Sequence, residues 1–224
     1  MKSQLYDYWS TSFYEFENES HDDIKQEVLD YLYVYKNNYD SREYDTAPLA
    51  KVGKIFETDM RFFHNAEKDV SFRLSIKSIQ EFCMSAVREA IIHKNGEIPS
   101  EAAVIMLDSW AHITNDGGYH DTHNHANCSW CGIYCIEGGE SSRETLNGVN
   151  RFHSPLSSNS LDAGTHYLAA NAWNWVPQDG HLLVFPSYLM HSALPYEGKV
   201  DRVVISFNTT TQGEKYNENL CRNT

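Results

Sequence analysis

At 224 residues the chain is long enough to bury a sizeable core, and its 41% hydrophobic and 22% charged residues exclude a disordered polymer. A formal net charge of −13, with no Lys/Arg cluster to build a basic groove, argues against nucleic acid as a partner and favours a neutral or cationic substrate. Five cysteines (an odd count), no apolar N-terminal segment and no apolar run of bilayer length argue against a secreted disulfide scaffold or a membrane protein and for a reducing, cytoplasmic setting.

Residues 1–17 read as an extended lead-in, with Trp9, Phe13, Tyr14 and Phe16 as packing candidates. Ser20 is an N-cap candidate for a helix over about 21–37, whose Ile24, Val28, Tyr31, Leu32 and Tyr35 share one face. Asn38 to Pro48 is polar and reads as loop. A second helix follows from about Val70 to His93, with Phe72, Ile76, Ile79, Phe82, Val87 and Ile91 at three- and four-residue steps and Asn95-Gly96 as its stop. After Pro99 the pattern becomes strand-like, at Ala102–Ile113 and near 119–125, 129–137, 172–177, 181–185 and 200–209, with glycine-containing turns between. The Ser-, Asn- and Gly-rich segment 138–171 has no clear period and reads as an active-site lid or loop. The chain is thus expected to be one domain over 1–224, with a mostly helical support region (1–99) and a β-rich core (100–210). The fold class is mainly β with α, a closed double-sheet sandwich with the N-terminal helices packed on one face.

The chemistry concentrates in Tyr119-His120-Asp121-Thr122-His123-Asn124-His125. In a regular strand, alternation puts Asp121, His123 and His125 on one face. His191, from another strand, completes a set of three imidazoles, and three ligands on one face leave positions open, as catalysis needs and a structural site does not. Asp121 is the alternative third ligand. A closed zinc site on His123, His125, Cys128 and Cys131 competes with this reading. Against it, Cys131, Ile133 and Cys135 alternate with Gly132, Tyr134 and Ile136 as in a buried strand, where cysteines act as small apolar fillers. Arg202 opens an otherwise apolar strand, Val203-Val204-Ile205-Ser206-Phe207, so an inward, functional guanidinium is expected rather than a surface ion pair with Asp201. Trp110, Trp130, Trp173 and Trp175 are candidate pocket walls, and Arg151, beside Asn147 and Asn150, could meet an acidic group of a substrate.

These residues resemble the iron(II)- and 2-oxoglutarate-dependent oxygenases, and most of all a branch found in bacteria and their phages that carries a His-x-His motif. The resemblance rests on Gly118-Tyr119 through His123-Asn124-His125-Ala126-Asn127, Cys131-Gly132-Ile133-Tyr134-Cys135-Ile136, Pro177-Gln178-Asp179-Gly180-His181-Leu182-Leu183-Val184-Phe185-Pro186-Ser187, His191-Ser192 and Arg202-Val203-Val204-Ile205-Ser206-Phe207-Asn208, ordered blocks over about residues 100–210. It implies a double-stranded β-helix, the cupin-like jelly roll, with His123, His125 and His191 on Fe(II). The wider superfamily has a carboxylate where this chain has His125, which leaves the ion more positive until the dianionic co-substrate compensates. Arg202 corresponds to the residue that grips the distal carboxylate of 2-oxoglutarate, with Tyr134 and Ser206 as further candidates for that carboxylate. The implied activity is a dioxygenase that uses O₂ and 2-oxoglutarate to hydroxylate an aliphatic C–H of an amino acid, peptide or small metabolite, releasing succinate and CO₂. Partners are then a small-molecule or peptide substrate, with no nucleic acid or membrane, and a homodimer stays open. Two alternatives remain: a three-histidine cupin-type dioxygenase or isomerase that needs no keto acid, and a zinc-stabilised binding module.

Overall fold

Long strands that alternate two apolar faces need a cover on each side, and the chain supplies helices for one and a second sheet for the other. The computed structural model describes residues 10–38, 54–68, 74–96, 102–155 and 172–212. Most of the expected loop after Asn38, the first residues of the expected second helix and the 156–171 part of the expected lid lie outside the described residues.

The elements are β1 (Tyr14–Glu17), α1 (His21–Asn38), β2 (Lys54–Glu57), α2 (Phe62–Lys68), α3 (Leu74–Asn95), β3 (Ala103–Asn115), β4 (Gly118–His123), β5 (Trp130–Glu137), β6 (Asn150–His153), β7 (Ala172–Trp175), β8 (His181–Pro186), β9 (His191–Tyr196) and β10 (Arg202–Gln212). They form a large sheet in the order β1-β8-β5-β10-β3-β2 and a small one in the order β4-β9-β6-β7. Every strand pair is antiparallel. This is the jelly roll, a mainly β fold with helices on one side.

Parity on the central strands decides what each face meets. Tyr134 and Ile136 of β5, Leu182 and Val184 of β8, and Val203, Ile205 and Phe207 of β10 pack with Val28 and Leu32 of α1 and Ile76, Ile79, Val87 and Ile91 of α3. The residues between them, Cys131, Ile133, Cys135, Leu183, Phe185 and Val204, turn inward and meet Phe152 and Trp175 of the small sheet. Full burial of each such side chain is worth about 1.5–3 kcal/mol, so both layers hold the strands that frame the space between the sheets. Asp22 and Asp23 in the first turn of α1 and Lys36 in its last suit the helix dipole. Among the described residues no helix is long and apolar enough to cross a membrane.

Four elements fall outside the sequence expectation: β2, α2, β6 and β9. β6 lies within the stretch expected to be a lid, where Asn150–His153 pairs with both β7 and β9. A four-residue strand is too short to show a period, and β9 is masked by Pro195 and three polar or small residues at its start.

Candidate active site

Register places the histidines. In the β4–β9 pair, Gly118 faces Tyr196, His120 faces Ala193 and His123 faces His191. Between His120 and His123, β4 spans three steps while β9 spans two, a bulge that breaks the alternation. His120 and His123 therefore both line the cavity between the sheets. Asp121 is left exposed and outside the histidine cluster, so the simple alternation expected for Asp121, His123 and His125 does not hold. Its carbonyl oxygen accepts from His123 Nδ1 at 2.7 Å.

β4 ends at His123, so His125 sits in the connection to β5. That connection is pinned: His125 N donates to Ser187 O (3.1 Å), Ser187 N to Ser129 O (3.1 Å), and Ser129 N to Thr209 O (2.8 Å). His191 is wedged between the rings of Phe152 (centroids 5.5 Å, stacked) and Phe185 (4.9 Å, edge-on). Ring centroids of His123, His125 and His191 are 4.4–5.2 Å apart, and one ligand atom from each lies within 4.8 Å of the other two.

The hydrogen bonds fix the tautomers. A carbonyl oxygen only accepts, so His123 Nδ1 and His191 Nδ1, the latter 3.0 Å from Leu189 O, carry the protons. Each Nε2 then keeps its lone pair for a metal ion. Burial, reinforced by neighbouring His123, pushes His125 down to about 4 and His191 down to about 3, so both rings stay neutral near pH 7. No cysteine sulfur joins this cluster among the described residues. Cys128 and Cys131 instead lie side by side, Sγ to Sγ 3.9 Å. Nothing in the donor arrangement favours the four-ligand zinc reading.

Arg202 opens β10 beside the same cavity, 3% exposed. Its Nη2 donates to Asn150 Oδ1 at 2.5 Å, and its Nε is buried without a partner. No carboxylate forms a salt bridge with it among the described residues, and burial lowers its affinity for its proton. A buried guanidinium in that condition fits an incoming carboxylate, which supplies charge and a bidentate acceptor together. The donor set of three converging imidazoles next to an anion-seeking arginine fits Fe(II) and a keto acid.

Other expected residues divide. Trp110 and Ser206, opposite each other on β3 and β10, both line the cavity, whose volume is about 210 Å³. Tyr134 does not: it points to the helices, and its hydroxyl meets His21 Nδ1 (2.8 Å) and Asn18 Nδ2 (3.0 Å). One step of strand parity separates it from the inward Ile133 and removes it as a co-substrate ligand. Trp175 fills the inter-sheet core and donates to Glu15. Trp173 packs on Phe13 at the surface, and Arg151 donates to Asn174. None of these three lines the cavity: Trp173 and Trp175 lie on β7, the outer strand of the small sheet, and Arg151 lies one step of alternation from the inward Asn150 on β6. Sequence reasoning missed Glu57, His112 and His120 as cavity residues, and Asn150 as the partner of Arg202. The His112 signal was present, since it lies two residues after Trp110 on the same strand face.

Residues 108–208 match the family model described as "Putative 2OG-Fe(II) oxygenase". Among solved structures, the chain is similar to a prolyl hydroxylase from Trichoplax adhaerens in complex with a hypoxia inducible factor oxygen degradation domain peptide fragment. The TM-score is 0.58 at 13% identity, covering 95% of this chain and 87% of that one. AviO1 from Streptomyces viridochromogenes Tue57 aligns with TM-score 0.57 at 11% identity over 89% and 90%. A Pseudomonas putida prolyl-4-hydroxylase gives 0.54 at 13% over 91% and 95%. No curated protein sequence matches the chain. The fold is therefore that of the 2-oxoglutarate oxygenases, and residues 108–208 are similar to the 2OG-Fe(II) oxygenase family. The match marks an enzyme, a 2-oxoglutarate-dependent oxygenase, whose cofactors are Fe(II), 2-oxoglutarate and O₂.

Proposed function

We propose that His123, His125 and His191 hold the Fe(II), that Arg202 receives the distal carboxylate of 2-oxoglutarate, and that the enzyme hydroxylates an aliphatic C–H bond of an amino acid, peptide or small metabolite. The observation that carries this reading is the buried Arg202, with no carboxylate paired to it among the described residues, in one cavity with three converging imidazoles. Fe(II), when bound, supplies the activation of O₂ that protein side chains cannot.

The chain's own residues do the rest. The Arg202 fork binds the carboxylate, Asn150 Oδ1 holds that fork in orientation by accepting from Nη2, and Ser206, which lines the same cavity, donates its hydroxyl hydrogen to the carboxylate. Trp110, Met60, Ile133 and Val204 line the remaining space and keep water from it, which suits an aliphatic group. The reaction balances as one C–H becoming C–OH while 2-oxoglutarate becomes succinate and CO₂, one oxygen atom of O₂ going to each organic product. The peptide bound by the Trichoplax enzyme supports a peptide or amino-acid substrate here. We assign residues 1–224 to one oxygenase domain. Free thiols at Cys83, Cys128, Cys131 and Cys135 support a cytoplasmic setting.

The test is calorimetric titration of 2-oxoglutarate into the protein with a divalent metal, followed by assay of succinate across candidate substrates. Binding of 2-oxoglutarate that needs both Arg202 and the metal supports the reading. Absence of binding, or binding indifferent to Arg202→Met, defeats it.

A further inference from the structure

Across the cavity from the histidine trio a second set of ligand atoms converges. Glu57, at the end of β2, stands directly opposite His112 of β3. His112 Nε2 and Glu57 Oε2 are 2.9 Å apart, and each side chain is 9% exposed. His120 reaches them from the other sheet because the β4 bulge turns it inward, its ring centroid 4.4 Å from that of His112. One ligand atom from each of the three lies within 4.8 Å of the other two. The His120 Nε2 is buried and has no hydrogen-bond partner. An imidazole nitrogen stripped of water and given nothing in return calls for a ligand from outside the chain. All three side chains line the cavity.

We propose that Glu57, His112 and His120 form a second divalent transition-metal site, distinct from the trio, with its open positions facing the substrate space. Two imidazoles and one carboxylate suit borderline ions such as zinc, manganese, iron, cobalt or nickel, whereas calcium and magnesium prefer oxygen alone. Glu57 brings the negative charge that the trio lacks. The hydrogen shared between His112 and Glu57 leaves His112 Nε2, for Nδ1 or for solvent, when the ion enters. The two sites are close, with the His120 and His123 centroids 6.4 Å apart, so a substrate carboxylate or hydroxamate-like chelator could be held by the second ion while its aliphatic part meets the first site.

Anaerobic equilibrium dialysis with Co(II), read by elemental analysis, tests this. The wild-type chain is expected to take two ions, and Glu57→Gln/His120→Phe one fewer. Equal stoichiometry in the two proteins overturns the proposal. The trio is read separately with His123→Ala/His191→Ala: if it binds no metal, the wild type takes one ion and the Glu57→Gln/His120→Phe protein takes none, which still supports the second site. Circular dichroism checks folding. If the double variant does not fold, Glu57→Gln alone must weaken one Co(II) equivalent at least tenfold, and unchanged affinity overturns the proposal.

Discussion

Arg202 of the large sheet reaches Asn150 of the small one at 2.5 Å, so a buried cation is met by an amide where a carboxylate would neutralise it. In the proposed reading, the co-substrate brings the missing charge. Arg202→Lys keeps a positive charge but loses the planar fork, and calorimetry is expected to show 2-oxoglutarate binding weakened about tenfold to a hundredfold. Arg202→Met is expected to abolish binding while metal content stays at the wild-type level. Loss of metal with loss of 2-oxoglutarate would mean that Arg202 acts on the fold instead.

His191 stands opposite His123 in register and is clamped by two phenylalanine rings, so its place cannot be filled by a neighbour. Removing it in His191→Ala should cost the trio its metal in dialysis. His125→Asp should keep the metal, since a carboxylate oxygen can also donate and adds the charge that three imidazoles lack, whereas His125→Ala should weaken metal binding. Unchanged metal affinity in His125→Ala would refute a ligand role for that position.

Acid should destabilise the metal-free protein early. His120, His125 and His191 are lowered to about 2, about 4 and about 3 from an ordinary 6.5, in each case mainly by burial. As pH falls through 6.5 the unfolded chain binds protons that the folded chain refuses, so stability is full above that value and declines toward pH 3. Between pH 7.5 and 5.5 carboxylates barely titrate, and the Tm of apo-protein is expected to drop over this window. A flat Tm there contradicts neutral, buried rings.

Among the described cysteines, Cys128 is expected to be the most reactive thiol. The Cys131 thiol hydrogen-bonded to it, aided by Ser187 and opposed by burial, lowers it to about 7, while burial pushes Cys83 and Cys135 up. Peptide mapping after brief iodoacetamide treatment at pH 7.5 should find Cys128 alkylated and Cys83 and Cys135 untouched. In Cys131→Ala the labelling rate at that pH should fall, because the thiol that can turn its hydrogen from Asn208 Oδ1 to the Cys128 thiolate is gone.

Gly132 gives Phe207 its seat: a Cβ at that position would enter the aromatic ring directly. Gly132→Ala is expected to destabilise the protein by about 1–3 kcal/mol in urea titration, with partial recovery in Gly132→Ala/Phe207→Leu.

Long elements with a clean period were legible in the sequence. α1, α3, β3, β5, β8 and β10 fall close to where apolar spacing put them, since each buries one face or both. His123, His125, His191, Arg202, Trp110 and Ser206 all line one cavity. What failed was parity across irregular or crowded positions. The bulge in β4 moved Asp121 out and His120 in, and no local signal marks it, because the bulge arises from pairing with a strand seventy residues away. Tyr134 was lost by one step of alternation. Glu57 needed a four-residue strand to be paired with β3, and that contact is set by tertiary packing alone.

Two rings of the trio are borne by paired strands, while the third sits in the connection after β4, tied by backbone bonds to Ser187 and its neighbours and by a ring contact with Trp110. That ring belongs to no strand ladder. Its position can therefore be retuned through the connection alone, with the barrel that carries it unchanged.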